Sequence, residues 1–152
     1  MTYANTKKSG IRRIKTEYNG IMFDSIFERE TYKQLVYRYG EESVEVHVKV
    51  SIKPKTEVFK ELFWSCDFKV KTRWGTFYVE AKGVPTEDFR LKVQYLELFQ
   101  PDIYDRLVMV CSKAQIMTIH RKTKIPLERV ITKAQIKNQD LEFLNQEPRT
   151  NG

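Results

Sequence analysis

The chain has 152 residues, of which 41% are hydrophobic and 12% aromatic, with only 6 glycines and 5 prolines. That is enough apolar material for one globular domain with a buried core, and it excludes a collagen-like or extensively disordered chain. Twenty-seven Lys and Arg against 20 Asp and Glu leave a net charge of +7, the balance of a protein that meets polyanions, nucleic acid foremost.

No stretch is long and apolar enough to span a bilayer, and the opening MTYANTKKSG lacks the apolar region of a signal peptide. A cytoplasmic protein with no membrane partner is expected. Cys66 and Cys111 sit in separate apolar runs without a CxxC partner, the pattern of buried free thiols in a reducing compartment. His47 and His120 are too far from each other and from the cysteines to suggest a zinc site.

Residues 1–14 carry Lys7, Lys8, Arg12 and Arg13 without hydrophobic period and read as a flexible basic arm. A single domain is expected over residues 15–145, with 146–152 as a frayed tail. Asn19-Gly20 is a turn signal. Ser25 begins a helix that Gly40 stops, with Glu28 three residues after Ser25 completing a capping box.

The segment from Val44 to Lys53, VEVHVKVSIK, alternates without a slip, which predicts a strand with Val44, Val46, Val48, Val50 and Ile52 on one face. ELFWSCDFKVKTR repeats the pattern, with Leu62, Trp64, Cys66, Phe68 and Val70 on one side and Asp67 on the solvated side. Trp74-Gly75 turns the chain into FYVEAKG, where Tyr78, Glu80 and Lys82 share a face. Thr86 caps a helix to about Phe99, ended by Pro101. DRLVMVCS is a fully apolar strand, and Pro126 to Leu144 reads as a final helix. The class is α/β, a mixed central sheet flanked by helices.

A hairpin would bring Asp67 and Glu80 together, and two converging carboxylates repel unless a divalent cation lies between them. Hard oxygen donors suit Mg²⁺, or Mn²⁺. Lys82 could orient a water or stabilise charge on a phosphate, and Gly83 leaves room for a substrate to approach. The competing reading is a surface ion pair, since acid-x-Lys pairs are common on strands; VEVHVK and DFKV are ordinary examples here.

Asp67, then Glu80-Ala81-Lys82 across a hairpin, preceded by a helix carrying an acid, resembles the PD-(D/E)xK nuclease superfamily. The runs YNGIMFDSIFERETY, WSCDFKV and FYVEAKGVPTEDFRLK are similar to a family of small phage proteins with that core, and more loosely to the phage endonuclease I junction resolvases. The likeness covers about residues 15 to 112, with Cys66 where the superfamily has a proline. It implies a restriction-endonuclease-like core, a host-cytoplasmic phage enzyme and Mg²⁺-dependent hydrolysis of DNA. Asp67 and Glu80 would then be ligands, the Ala81 carbonyl a third donor, Glu28 the helix acid supporting a second metal, and Lys82 the lysine beside the attacking water. Glu30 is the alternative helix acid.

Branched DNA, such as a Holliday junction, is the expected substrate, and a symmetric junction calls for a homodimer. Cleavage of duplex DNA or ends, or a non-catalytic DNA-binding recombination accessory role, are the alternatives. Phosphate contacts are expected from Lys7, Lys8, Arg12 and Arg13, from Arg90 and Lys92 on the helix after the E-x-K-G strand, and from Arg121, Lys122 and Lys124.

Overall fold

The computed structural model describes residues 14–138. Lys7, Lys8, Arg12, Arg13 and the tail from 139 onward lie outside the described residues. Strands β1 (Thr16–Tyr18) and β2 (Ile21–Phe23) flank Asn19-Gly20, where φ is 54° and 76°. Positive φ at both central residues is what a tight type I′ hairpin requires.

Helix α1 (Ile26–Tyr39) starts where predicted: Ser25 Oγ accepts the Glu28 N–H at 3.0 Å, and Gly40, at φ 92°, ends it. Three strands then run antiparallel, β3 (Val44–Lys53), β4 (Leu62–Thr72) and β5 (Gly75–Ala81). The β4–β5 hairpin turns at Gly75, whose φ of 119° an L side chain rarely adopts.

Helix α2 (Glu87–Phe99) is capped by Thr86, whose Oγ1 accepts the Phe89 N–H at 3.1 Å. It is followed by α3 (Pro101–Tyr104), β6 (Leu107–Val110), α4 (Ile116–Thr123), β7 (Val130–Ile131) and α5 (Lys133–Asn138). The five-stranded sheet has the order β3-β4-β5-β6-β7 and is parallel from β5 onward. Parallel neighbours need crossovers, which α2 and α4 supply. Buried Arg129 donates to the carbonyls of Tyr104 and Leu107, tying the end of α3 to the start of β6.

The expected mixed sheet flanked by helices is therefore present, but two predicted details change. Pro126 to Leu144 is not one helix. Val130 and Ile131 form β7 on the edge of β6, and helix resumes at Lys133. β-branched residues beside an apolar parallel strand gain more from the ladder and from burial than from a helix.

The second change is that helices pack on both faces of the sheet, although Glu45, Lys49 and Ser65 stay exposed. Phe23, Tyr32 and Leu35 of the hairpin and α1, with Ile136 of α5, pack on Phe68, Val70, Phe77, Val79, Val108 and Val110. Phe89, Val93, Leu96 and Ile119 of α2 and α4 pack on Val50, Ile52, Trp64, Cys66, Leu107 and Met109. Trp64, 2% exposed, is core, as its apolar surroundings imply.

The same-face expectation for β3 and β4 also fails, and the failure builds the site. Val44 and Val46 belong with the α1 side, whereas Val48, Val50 and Ile52 belong with the α2 side. Likewise Phe68 and Val70 lie under α1 but Trp64 and Cys66 under α2. Both strands exchange faces at one point. The ladder pairs Val46 with Phe68 and Val48 with Cys66, and His47 and Asp67 between them are not paired. His47 takes φ 55°, a left-handed conformation inside a strand, so the period-two alternation restarts on the opposite side.

Candidate active site

β4 and β5 pair as far as Phe68 and Val79 and then separate. Side chains replace the ladder in the fork: the Asp67 N–H donates to Glu80 Oε1 at 3.2 Å, and the Ala81 N–H donates to Asp67 Oδ2 at 2.9 Å. The two acids thus sit in each other's strand, neither on a wet face. Glu80 is only 3% exposed. Cys66 closes the bottom of the fork, its thiol donating to the Phe68 and Val79 carbonyls; burial, then the Glu80 and Asp67 charges, push its pKa well up. It is an inert wall, not a nucleophile.

Lys82 follows the end of β5, its N–H held by the Val110 carbonyl. Its Nζ stands 3.4 Å from Glu80 Oε2 and 5.1 Å from the centre of the Phe89 ring. Phe89 is itself fixed by the Thr86 cap and by Trp64, so α2 sets the height of the ammonium over the fork. At Gly83 an added methyl would meet nothing within 4 Å; the protein leaves open space there.

From the other side, α1 directs Glu28 inward, 5% exposed. Its Oε1 meets His47 Nε2 at 2.8 Å. The carboxylate therefore turns to β3, and only the Ser25 half of the expected capping box forms. Glu30 points elsewhere, pairing with Arg29 and Lys33, so Glu28 is the acid of α1 that belongs to the site.

The charges feel one another. Burial, then the Glu28 charge, raise Asp67 to about 7 against the pull of the Ala81 N–H, Lys82 and His47. Burial, then the Asp67 charge, raise Glu80 to about 8 against Lys82 and the Asp67 N–H. Two carboxyl groups this reluctant to ionise near neutrality are what a divalent cation would relieve. The donors fit such an ion, being hard oxygens beside one ammonium.

The predicted residues are brought together in part. Asp67, Ala81, Glu80 and Lys82 share the fork and Glu28 faces it, yet Glu28, Asp67 and Glu80 do not close into one tight ligand group. Among the described residues that closeness belongs to Asp24, Glu28 and His47, whose ligand atoms lie within 4.8 Å of one another. Asp24 and His47 escape the sequence reading. Asp24 sits just before the Ser25 cap and Glu28, a spacing that could have pointed to it. Nothing local marks His47, which occupies a regular strand pattern.

Of the expected DNA contacts, Arg90 donates from Nε to the Lys122 carbonyl at 3.1 Å, joining two clusters that are separate in sequence. Arg121, Lys122 and Lys124 are exposed around it. Lys92 pairs with Asp88 at 3.2 Å. Arg90 follows Phe89 in the chain, the residue whose ring lies under Lys82. Trp74 remains exposed at the β4–β5 turn.

No family model matches the chain, and no curated protein or solved structure is significantly similar to it. Among the described residues no helix is long and apolar enough to cross a membrane.

Proposed function

We propose that the chain is a metal-dependent endodeoxyribonuclease of the PD-(D/E)xK kind, cutting DNA phosphodiesters, with branched DNA as the preferred substrate of a homodimer. The observation that carries this is the β4–β5 fork. It places Asp67, Glu80 and Lys82 around one point, two of them in carboxyl groups held near neutrality. Asp67, Glu80 and the Ala81 carbonyl would hold a Mg²⁺ or Mn²⁺ ion, which supplies Lewis-acid activation and charge neutralisation for phosphodiester hydrolysis.

The chain's own groups do the rest. Lys82, held between Glu80 and the Phe89 ring, presents a fixed positive charge to a phosphoryl oxygen and orients a water beside it. Glu28, anchored by His47, closes the α1 side of the fork. The open space at Gly83 admits a sugar-phosphate backbone, and Arg90 with Lys122 and Lys124 extends the contact to neighbouring phosphates.

The test is cleavage of a four-way junction and a sequence-matched linear duplex, with Mg²⁺, with Mn²⁺ or with EDTA, by the wild type, Lys82→Ala and Glu80→Gln. Junction-selective nicking that EDTA and both variants abolish supports the proposal. Equal cutting of both substrates leaves a nuclease but removes the branched specificity. A retarded DNA band without cleavage in either metal makes the acids mere ion-pair partners, for which the His47–Glu28 and Lys82–Glu80 contacts are suited.

A further inference from the structure

We infer that the cleft between α1 and α5, lined by Lys33, Lys137, Tyr18 and Tyr37, grips the phosphates of a second DNA arm. The Arg90–Lys122 face on the opposite layer holds the first arm. This deepens the reading above and rests on it for DNA as the ligand, but not for cleavage.

The cleft has a volume of about 460 Å³, with Gln34 and Val36 completing its wall. Lys33, Tyr37 and Lys137 are exposed, Tyr37 at 78%. The Lys33 ammonium stands 5.2 Å from the centre of the Tyr18 ring, which holds it at the rim. Among the described residues no hydrogen bond engages the hydroxyls of Tyr18 and Tyr37, the Gln34 amide or the Lys137 ammonium. Ammonium and phenol groups side by side are donors suited to phosphate oxygens, and such contacts position a backbone without reading its sequence.

The charge around the cleft is one-sided. Arg29 and Lys33 lie about one turn apart on α1, and Lys133 and Lys137 about one turn apart on α5. Glu30 is the acid paired with them, Arg29 Nε at 2.9 Å and Lys33 Nζ at 3.7 Å. Burial works to raise its carboxyl, yet the Arg29 hydrogen bond and the charges of Lys33, Arg29 and Lys133 hold it below the ordinary value. Three cations thus share this carboxylate, and Lys137 adds a further charge beyond it. Such a surplus draws a polyanion.

This face begins at the fork. Ile131 pairs with Val110, which pairs with Ala81, so α5 starts at the end of the sheet where Lys82 stands. The Lys133 ammonium lies 4.8 Å from the centre of the ring of Phe27, the residue before Glu28. From there each turn of α1 or α5 leads about 5.4 Å away from the acids. The other basic face, where Arg90 meets Lys122, leaves on the far side of the sheet. Helix, sheet and helix, each about 10 Å thick, separate the two outer faces by roughly 30 Å. A straight duplex lying on one face does not reach the other. DNA that diverges at the fork does, with one arm on each face.

Affinity for a four-way junction and for a linear duplex of matched sequence is measured by fluorescence anisotropy over a range of salt, in EDTA so that no cleavage intervenes. The Lys33→Ala/Lys137→Ala double variant should lower the slope of log affinity against log salt by about 2 on the junction and by less than about 0.5 on the duplex. Arg90→Ala should lower it on both. Alanine is the best helix former, so the fold is retained, as circular dichroism melting verifies. Lys33→Arg/Lys137→Arg, which keeps the charge, should restore the wild-type slope. An unchanged junction slope in the folded double alanine variant overturns the second arm and leaves the fork reading intact. An equal drop on both substrates also overturns it, making the cleft a general phosphate contact. Failure of the wild type to bind either DNA overturns the second arm and the nuclease reading together. Junction-selective binding through the cleft, without cleavage in Mg²⁺ or Mn²⁺, leaves the second arm standing and removes only the nuclease reading.

Discussion

Replacing Glu80 by Gln keeps the shape of the side chain and the oxygen that accepts the Asp67 N–H, but removes the charge. In the folded protein Glu80 is 3% exposed and its pKa is raised from 4.5 to about 8. An acid that holds its proton more tightly when folded contributes stability that is complete below its unfolded pKa and is lost as pH rises through its folded pKa. The window for Glu80 therefore runs from about pH 4.5 to 8, and Asp67, raised to about 7, adds to the slope over its lower part. At about 1.4 kcal/mol per unit, keeping Glu80 protonated at pH 7.5 costs roughly 4 kcal/mol. Gln forfeits the contact with Lys82, worth about 1 kcal/mol for a partly exposed pair. The net gain for Glu80→Gln is about 3 kcal/mol, or roughly 6–12 °C in Tm for a chain of this size. Thermal denaturation from pH 5 to 8 in EDTA should show the wild type losing stability with rising pH and the variant losing less. Saturating Mn²⁺ should reverse the ranking, because only the wild type has both fork carboxylates to offer. A variant less stable than wild type at pH 7.5 in EDTA, with an equal pH slope, would refute the claim that these acids are crowded.

Other substitutions probe the remaining parts. Lys82→Ala should lower the cleavage rate by about 10²–10⁴-fold while leaving junction affinity within a few-fold, as read by single-turnover kinetics and gel shift. Arg90→Ala and Lys122→Ala should each reduce the slope of log affinity against log salt by about 1, measured by fluorescence anisotropy. Thr86→Ala removes the cap of α2 and should cost about 1 kcal/mol in denaturant unfolding. It should also slow cleavage through Phe89, which the cap and Trp64 hold beneath Lys82.

The parts of the fold legible in the sequence are those with local punctuation. Ser25 and Gly40 bracket α1, Thr86 and Pro101 bracket α2, and the apolar run Leu107–Val110 forms the buried β6. β7 is two residues long, too short to carry a period, and its pairing with β6 is a tertiary fact. Helix α4 was hidden because Arg121, Lys122 and Lys124 drew the reading toward charge, while Ile119 and Thr123 supply its buried side. Glu28, Asp67, Glu80 and Lys82 were legible as types and spacing. Their relation was not: parity put the acids on a solvated face, whereas the strands part and enclose them. His47 could not be found at all, because one positive φ leaves the letters VEVHVK unchanged.

The exchange of faces by β3 and β4 ties two otherwise separate halves into one mechanical unit. The same ribbon is anchored to the α1 layer through Val46 and Phe68 and to the α2 layer through Val48 and Cys66, and the acids stand where the anchoring changes sides. A ligand that gathers them grips the pivot of the ribbon. Slowed amide exchange should therefore appear in α1 and α2 together, rather than in whichever helix happens to lie nearer.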